Sequence, residues 1–230
     1  QADCSDSQIR FEADAEQKTI PMARQENGKG LSLADFVIPA ESGRKSPFGM
    51  FAISVHKRSK AHVQGCSCPA CSNAYEDMIG RTVRMTVAEA ASAWLDKTIQ
   101  GAGLKDGCRI IKPAAGYASC PDHTLKGDIL KILCPESDMH PHSCTCGHCH
   151  EHGHSHGHEH RHEHEGGLGI KLTESYAMTP ESSICGLIFA HPQACYPEIR
   201  RISREQYDNY KAKRNMSDDD ARRFLGHILK

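Results

Sequence analysis

The sequence predicts an α+β fold with a largely antiparallel sheet. Strand-like and helical patterns are mixed along its 230 residues without the strand–helix–strand rhythm of a parallel sheet. Hydrophobic residues make up 38% of the chain and charged residues 25%, which is enough apolar material for a core. The length allows one large domain or two small ones.

The first part of the chain gives three structural expectations. Residues 1–30 are polar without a regular pattern and end in a turn-rich stretch, so we expect an irregular N-terminal extension. Residues 49–55 alternate as a strand does. Apolar side chains at helical spacing then predict a helix over 74–99. They are Tyr75, Ile79, Val83, Val87, Ala91, Trp94 and Leu95.

The second part of the chain continues the mixed pattern. A short helix is expected near 124–133, and residues 169–174 and 184–189 read as strands. Ser203 begins a capping box, which predicts a helix to about residue 214. Ser217 precedes three aspartates, whose charges suit the start of a last helix.

Charge and hydropathy exclude several classes of function. The 28 basic and 29 acidic residues nearly balance, so no electrostatic case exists for a nucleic acid or an anionic membrane as partner. No apolar run approaches the ~20 residues of a membrane helix. The polar start shows no signal peptide, and we expect a cytoplasmic protein. Because no initiating Met is present, we expect a piece of a longer chain or a processed product.

Six of the 12 cysteines lie in two clusters that share the spacing C-x-C-x-x-C. Thiolates this close in sequence converge readily on a soft or borderline metal such as zinc. Two alternatives stay open: a disulfide-bonded secreted chain, and reduced thiols without a metal. The candidate ligands are Cys66, Cys68, Cys71, Cys144, Cys146 and Cys149.

The six other cysteines are scattered and receive no role, because a free cysteine often behaves as a small buried hydrophobe. They are Cys4, Cys108, Cys120, Cys134, Cys185 and Cys195.

Eleven of the 16 histidines fall in one polar tract. With almost no apolar residue, residues 139–167 are predicted to form a disordered surface loop. Neutral imidazoles there would bind Zn, Ni, Co or Cu ions, and the alternative is a tolerated low-complexity insertion without a selected role. The candidate ligands are His148, His150, His152, His154, His156 and His158.

A series of short motifs also occurs in a diagnostic order. They are Leu33-Ala-Asp-Phe36, Gly49-Met-Phe-Ala52, Lys112-Pro-Ala-Ala-Gly-Tyr117, Cys120-Pro-Asp-His-Thr124, Leu172-Thr-Glu-Ser175 and His191-Pro192. Together they resemble the reactivation domain of cobalamin-dependent methionine synthase. The resemblance covers about 31–55 and 74–230, apart from the His-rich loop.

The resemblance implies a helmet-shaped single domain over 31–230 with a twisted, largely antiparallel sheet. It implies binding of S-adenosylmethionine, which is placed over the corrin so that inactive cob(II)alamin is reductively remethylated. Positioning is the domain's main task, and the cofactors carry the chemistry, so the domain is not catalytic alone. The implied partners are a cobalamin-binding domain or corrinoid protein and a flavodoxin-like electron donor.

The resemblance also implies eight ligand-binding residues. Acidic positions suit the ammonium, sulfonium and ribose groups of the ligand, and a basic one suits its carboxylate. Backbone contacts and an aromatic ring near the methyl group complete the set. Glu174 is either structural or in contact with the corrin side. The residues are Glu89, Asp106, Lys112, Ala114, Gly116, Tyr117, Glu174 and Tyr196.

Three features depart from the family pattern. Lys112 stands where the family has an arginine and lacks the bidentate fork that arginine offers a carboxylate. Asp106 is shorter than the usual glutamate, so affinity could be weakened or lost with the fold intact. The Cys-rich and His-rich insertions are additions. No cobalamin-binding Asp-x-His-x-x-Gly segment occurs, so the corrinoid would come from another domain or a partner.

Two other functions compete with the reactivation hypothesis. One is a metal-binding accessory protein on the same scaffold, which stores, delivers or senses Zn, Ni or Co ions. The other is a scaffold that has lost ligand binding and only docks a partner.

Overall fold

A computed structural model confirms the α+β fold. In the part of the chain that it describes, all strand pairs run antiparallel and four α-helices accompany them. The described residues are 1–26, 30–57, 74–101, 104, 107–134 and 168–230. No helix among them combines the length and apolarity that crossing a bilayer requires.

The N-terminal residues form a three-stranded antiparallel sheet. Its strands are β1 (Ala2–Ser5), β2 (Gln8–Ala13) and β3 (Glu16–Pro21), paired in chain order. Both hairpins turn through two residues with φ between 49° and 60°, as tight primed turns require. Ile9 and Ile20 face each other across the sheet and are buried in the main core. The expected irregular structure is therefore wrong for residues 2–21, which form the three strands and their two turns.

The central sheet has three strands in the order β4-β8-β5, and a separate two-stranded hairpin precedes β8. Leu187 and Phe189 in β8 are buried in the main core. Because β5 pairs with the C-terminal half of β8 in antiparallel orientation, the loop that follows β5 lies beside the start of β8. The strands are β4 (Phe48–Ser54), β5 (Arg109–Ile111), β6 (Lys171–Leu172), β7 (Met178–Thr179) and β8 (Ser183–His191).

The helix α1 (Ala74–Gly101) confirms the prediction over 74–99, but its apolar stripe is not its packing face. The helix lies against β4 and β8 through Ala88, which is buried. All large side chains of the stripe except the half-buried Leu95 face solvent, and Trp94 is 65% exposed. Helical spacing therefore identifies the helix correctly, whereas the small residues mark the side that contacts the sheet.

Three further helices complete the described part of the fold; the first packs against β4 and β8 and the second against β3. They are α2 (Leu125–Leu133), α3 (Arg204–Arg214) and α4 (Asp218–Leu225). Ser203 and Gln206 cap α3 reciprocally, and the Ser217 hydroxyl accepts from the Asp220 amide, as the sequence predicts. Tyr207 and Tyr210 of α3 form a second buried cluster with residues of α4.

Candidate ligand-binding site

The loop after β5 is fastened to β8 and closed on itself. The Leu187 amide donates to the Pro113 carbonyl at 3.0 Å. The Gly116 amide donates to the Cys120 carbonyl at 2.7 Å, and the Cys120 amide donates to the Tyr117 carbonyl at 2.8 Å. These bonds fix the backbone of the loop that carries the most diagnostic motif.

Two glycines make this close packing feasible. Gly116 has φ +92°, and a Cβ there would lie 2.4 Å from Cε1 of His123. A Cβ on Gly186 would lie 2.7 Å from the Pro113 carbonyl oxygen. Only a residue without a side chain allows these approaches.

Asp122 anchors the loop to α3. It is 1% exposed, and its carboxylate accepts from the Tyr210 hydroxyl and from Nε of Arg214, each at 3.0 Å. It also accepts from the Thr124 amide at 2.8 Å. Burial, and then the Asp122 charge, raise the pKa of Tyr210 well above its ordinary value. Arg214 reaches further to Asp128, so a buried ionic network fixes the end of the loop.

A cavity of about 500 Å³ opens between this loop, α1 and the start of β8. That volume lies within the range of small-molecule sites. Five of the eight ligand-binding residues expected from the sequence line it, although they come from distant parts of the chain. They are Glu89, Lys112, Ala114, Tyr117 and Tyr196.

The ammonium group of Lys112 joins the loop to α1. It donates to the carbonyl and hydroxyl oxygens of Ser92 and lies 3.1 Å from a carboxylate oxygen of Asp96. It also lies 5.7 Å from the centre of the Phe51 ring. With only 11% of its side chain exposed, Lys112 lines the cavity and already has an acidic partner.

Two tyrosines lie at the edge of the cavity. Tyr117 is 71% exposed and Tyr196 is 55% exposed. The Lys112 amide donates to the Tyr196 hydroxyl at 2.9 Å, which holds that ring beside the loop. Exposed aromatic rings are enriched where proteins meet partners or ligands.

Of the other three expected residues, the two that the structure describes, Gly116 and Glu174, do not line the cavity. Gly116 supports it from within the loop through its positive φ. Glu174 lies in the exposed turn between β6 and β7, where the Tyr176 amide donates to the Thr173 carbonyl. Asp106 lies outside the described residues.

Several lining residues carry no sequence signal that would have identified them. Lys126 is 8% exposed and lies two residues after the Cys120–Thr124 motif. Glu181 lies 2.8 Å from Arg81 of α1 as an exposed ion pair. Met85 and Ser183 are two further members of this group. A lone lysine or glutamate is usually a solvated charge, and only the fold brings these to one cavity.

None of the twelve predicted metal ligands belongs to the described residues. The two cysteine clusters and the histidine tract fall within 58–73 and 135–167. In the part of the chain that is described, no group of three or more His, Cys, Asp or Glu side chains could hold a metal ion. The six scattered cysteines are all free thiols, and Cys120 and Cys185 are buried.

Comparisons with known proteins agree with the fold. The family model described as "Vitamin B12 dependent methionine synthase, activation domain" matches residues 2–159 and 145–215. A crystal structure of the MetH reactivation domain bound to AdoHcy is similar, with a TM-score of 0.67 and 24% sequence identity. The match covers 99% of this chain and 67% of that one. At this identity the structural likeness supports the fold.

Proposed function

This chain belongs to the family of activation domains of vitamin B12-dependent methionine synthase, and from that premise we propose that its cavity binds S-adenosylmethionine. The observation that carries the proposal is the meeting of Glu89, Lys112, Ala114, Tyr117 and Tyr196 around one cavity of about 500 Å³. When bound, S-adenosylmethionine supplies a methyl group on its sulfonium. The chain's own residues would orient the ligand and exclude water around it.

The charges of the cavity suit a ligand that carries both signs. Glu89 and Glu181 offer carboxylates for the ammonium and sulfonium groups. Lys112 and Lys126 offer ammonium groups for the ligand's carboxylate. Because the Lys112 ammonium is already paired with Asp96, it would bind the ligand's carboxylate as a shared partner and more weakly than an unpaired arginine.

The rest of the lining suits the uncharged parts of the ligand. Ala114 lines the cavity, and the backbone hydrogen bonds of the loop fix its position there. The Tyr117 ring is exposed enough to cover a flat purine or ribose. Tyr196, fixed by its hydrogen bond to the Lys112 amide, would lie near the methyl end.

The partner we propose is a cobalamin-binding domain, in the same polypeptide or in another protein. Tyr117 and Tyr196 place exposed aromatic surface at the mouth of the cavity, where such a domain would have to approach. The electron donor in this proposal is a flavodoxin-like protein, and the location is the cytoplasm. The domain would act within a methyltransferase system.

Calorimetric titration of S-adenosylmethionine into the metal-stripped chain tests the proposal. Binding in the micromolar to low-millimolar range is expected. Glu89→Gln should weaken it about tenfold, because it removes a carboxylate offered to the ligand's ammonium and sulfonium groups. Glu89 is exposed on its helix, so the substitution leaves the core undisturbed. Glu41→Gln, which removes an exposed charge outside the cavity lining, is the matched control.

A second pair of variants addresses Lys112. Lys112→Arg should strengthen binding several-fold if the side chain contacts the ligand's carboxylate, because arginine can contact it through two bonds. Lys97→Arg, on an exposed part of α1, should leave affinity unchanged. Absence of binding to the wild-type chain would contradict the proposal and favour a scaffold that only docks a partner.

We propose metal binding as a second function, and it rests on the sequence. Two C-x-C-x-x-C clusters and a run of alternating histidines offer thiolate and imidazole ligands for Zn, Ni or Co ions. Untagged protein should contain stoichiometric metal by elemental analysis, and Cys68→Ser with Cys146→Ser should remove it. Cys108→Ser with Cys134→Ser is the control. Protein that neither holds metal nor takes up added Zn or Co would contradict this function.

A further inference from the structure

A second cavity, of about 430 Å³, lies on the other side of Lys126 from the first. It is lined by side chains of α2, α4 and the β6–β7 turn. All of its ionisable lining groups are basic, and a serine and an aromatic ring accompany them. The residues that matter are His123, Lys126, Ser175, Arg223, Phe224 and His227.

Lys126 is a buried cation without a counter-charge among the described residues. Its side chain is 8% exposed, and its ammonium donates to the Tyr176 carbonyl at 2.9 Å and to Nδ1 of His123 at 3.2 Å. It forms no ion pair with a carboxylate of the described chain. Burial lowers the pKa of Lys126. A buried charge is costly unless it is paired, which makes this position one that an anion would stabilise.

His123 adds a second basic group at the shared wall. Its ring lies against Gly116 on one side and 6.2 Å from the Phe224 ring on the other. Burial, and then the charge of Lys126, lower the pKa of His123. Asp122 is the acidic neighbour, but its carboxylate is committed to α3. The Asp122 carboxylate is therefore ion-paired with Arg214 and not with a basic group of the cavity.

The far side of the cavity is formed by α4 and the residues just after it. The Arg223 guanidinium lies 5.3 Å from the centre of the Phe224 ring and has no ion-pair partner within the described chain. Its neighbour Arg222 points elsewhere and lies 3.7 Å from Asp219. His227, in the turn after α4, is exposed and lines the same cavity.

We propose that this cavity binds a phosphate group, and we name it the basic pocket (His123, Lys126, Ser175, Arg223, His227). Lysine supplies a point charge, and arginine a fork of two donors that matches a tetrahedral oxyanion. The imidazoles and the Ser175 hydroxyl complete the donors. The phosphate is either inorganic or carried by a larger molecule, since the pocket is open to solvent on the Arg223 side.

The test is titration with inorganic phosphate and with ribose 5-phosphate, at constant ionic strength and with ribose as the unphosphorylated control. Both anions should bind and ribose should not. Tighter binding of ribose 5-phosphate would identify a phosphate ester as the ligand, and equal binding would identify the free ion. Arg223→Gln should weaken either affinity about tenfold, whereas Arg222→Gln on the same helix should leave it within twofold.

A second arm uses sulfate, whose charge does not change near neutral pH. Binding should strengthen as the pH falls below about 6.5, because burial lowers the pKa of His123 from that ordinary value and its imidazole gains a proton only there. The groups that face His123 are Lys126, His227, Asp122 and the Gly116 backbone, and Arg223 shares the pocket. Absence of phosphate and sulfate binding, or equal losses in Arg223→Gln and Arg222→Gln, would overturn the proposal.

The S-adenosylmethionine titration depends on Glu89, whereas the phosphate titration depends on Arg223. Loss of S-adenosylmethionine binding and loss of phosphate binding can therefore be observed separately. Glu89 lines only the first cavity and Arg223 only the second.

Discussion

The two walls of the ligand cavity are held in different ways. The loop wall ends at Asp122, a buried carboxylate bonded to Tyr210 and Arg214 of α3. The helix wall is α1, where Ala88 is the one fully buried side chain in the described part of the helix. One wall is therefore fixed by a buried network, and the other by a small contact face and the Lys112 ammonium. A ligand that bridges them should stabilise α1 most.

The largest effect should follow from removing the charge of Asp122. Asp122→Asn leaves Arg214 with one fewer carboxylate in a buried site, and we expect a loss of about 3–5 kcal/mol in the free energy of unfolding. Urea denaturation measures it. Asp208→Asn breaks an exposed ion pair with Arg204 and should cost under about 1 kcal/mol. Equal losses in the two variants would mean that the loop wall is no more firmly held than the surface.

A smaller effect should follow from enlarging the contact face of α1. Ala88→Leu forces a larger side chain against the sheet and should cost about 1–3 kcal/mol, with weaker binding of S-adenosylmethionine because the helix wall is displaced. Ala90→Leu, an exposed position on the same helix, controls for helix propensity. Unchanged stability and affinity in Ala88→Leu would show that α1 does not need this contact.

Two buried thiols, one in the loop wall and one in the central sheet, make the free energy of unfolding depend on pH. Burial, and then the Asp122 charge, raise the pKa of Cys120 to about 12, and burial raises that of Cys185 to about 11. The ordinary value is 9.0, so the unfolded chain loses these protons first. Stability should therefore fall as the pH rises from about 9 toward about 12. The variant Cys120→Ala should show a shallower fall in urea denaturation above pH 9, and an identical pH profile would contradict this.

The smallest effect should come from the solvent side of α1. Val83→Ser changes an exposed apolar side chain and should alter the free energy of unfolding by less than about 0.5 kcal/mol. Thermal denaturation measures the change. A loss comparable to that of Ala88→Leu would mean that this side of the helix is covered in solution.

The sequence predicts the parts of the fold that depend on local patterns. Ser203 and Ser217 mark the starts of α3 and α4 because capping bonds are formed within a few residues. The N-terminal sheet is missed because its hairpins turn through Asp6-Ser7 and Asp14-Ala15 without glycine or proline. Both turns lack the Asn-Gly or Asp-Gly pair that most strongly indicates a two-residue hairpin, so the local signal is weak.

The candidate site is predicted only where a motif carries it. The 112–117 motif and Glu89 are found through the resemblance, and both reach the cavity. Lys126 and Glu181 are missed because their positions depend on how α1 and α2 pack against the central sheet, which no local pattern encodes. The same reason explains why the packing face of α1 is not the apolar stripe: helical spacing identifies a helix, while the neighbouring sheet decides which side is buried.

Hydrogen–deuterium exchange with saturating S-adenosylmethionine tests whether the ligand bridges the two walls, because it reports where the ligand stabilises the chain. We expect slower exchange in both walls, over residues 112–120 and over the part of α1 around Glu89, with the larger change in α1. Protection confined to the basic pocket, or no protection in either wall at a concentration where calorimetry shows binding, would contradict it.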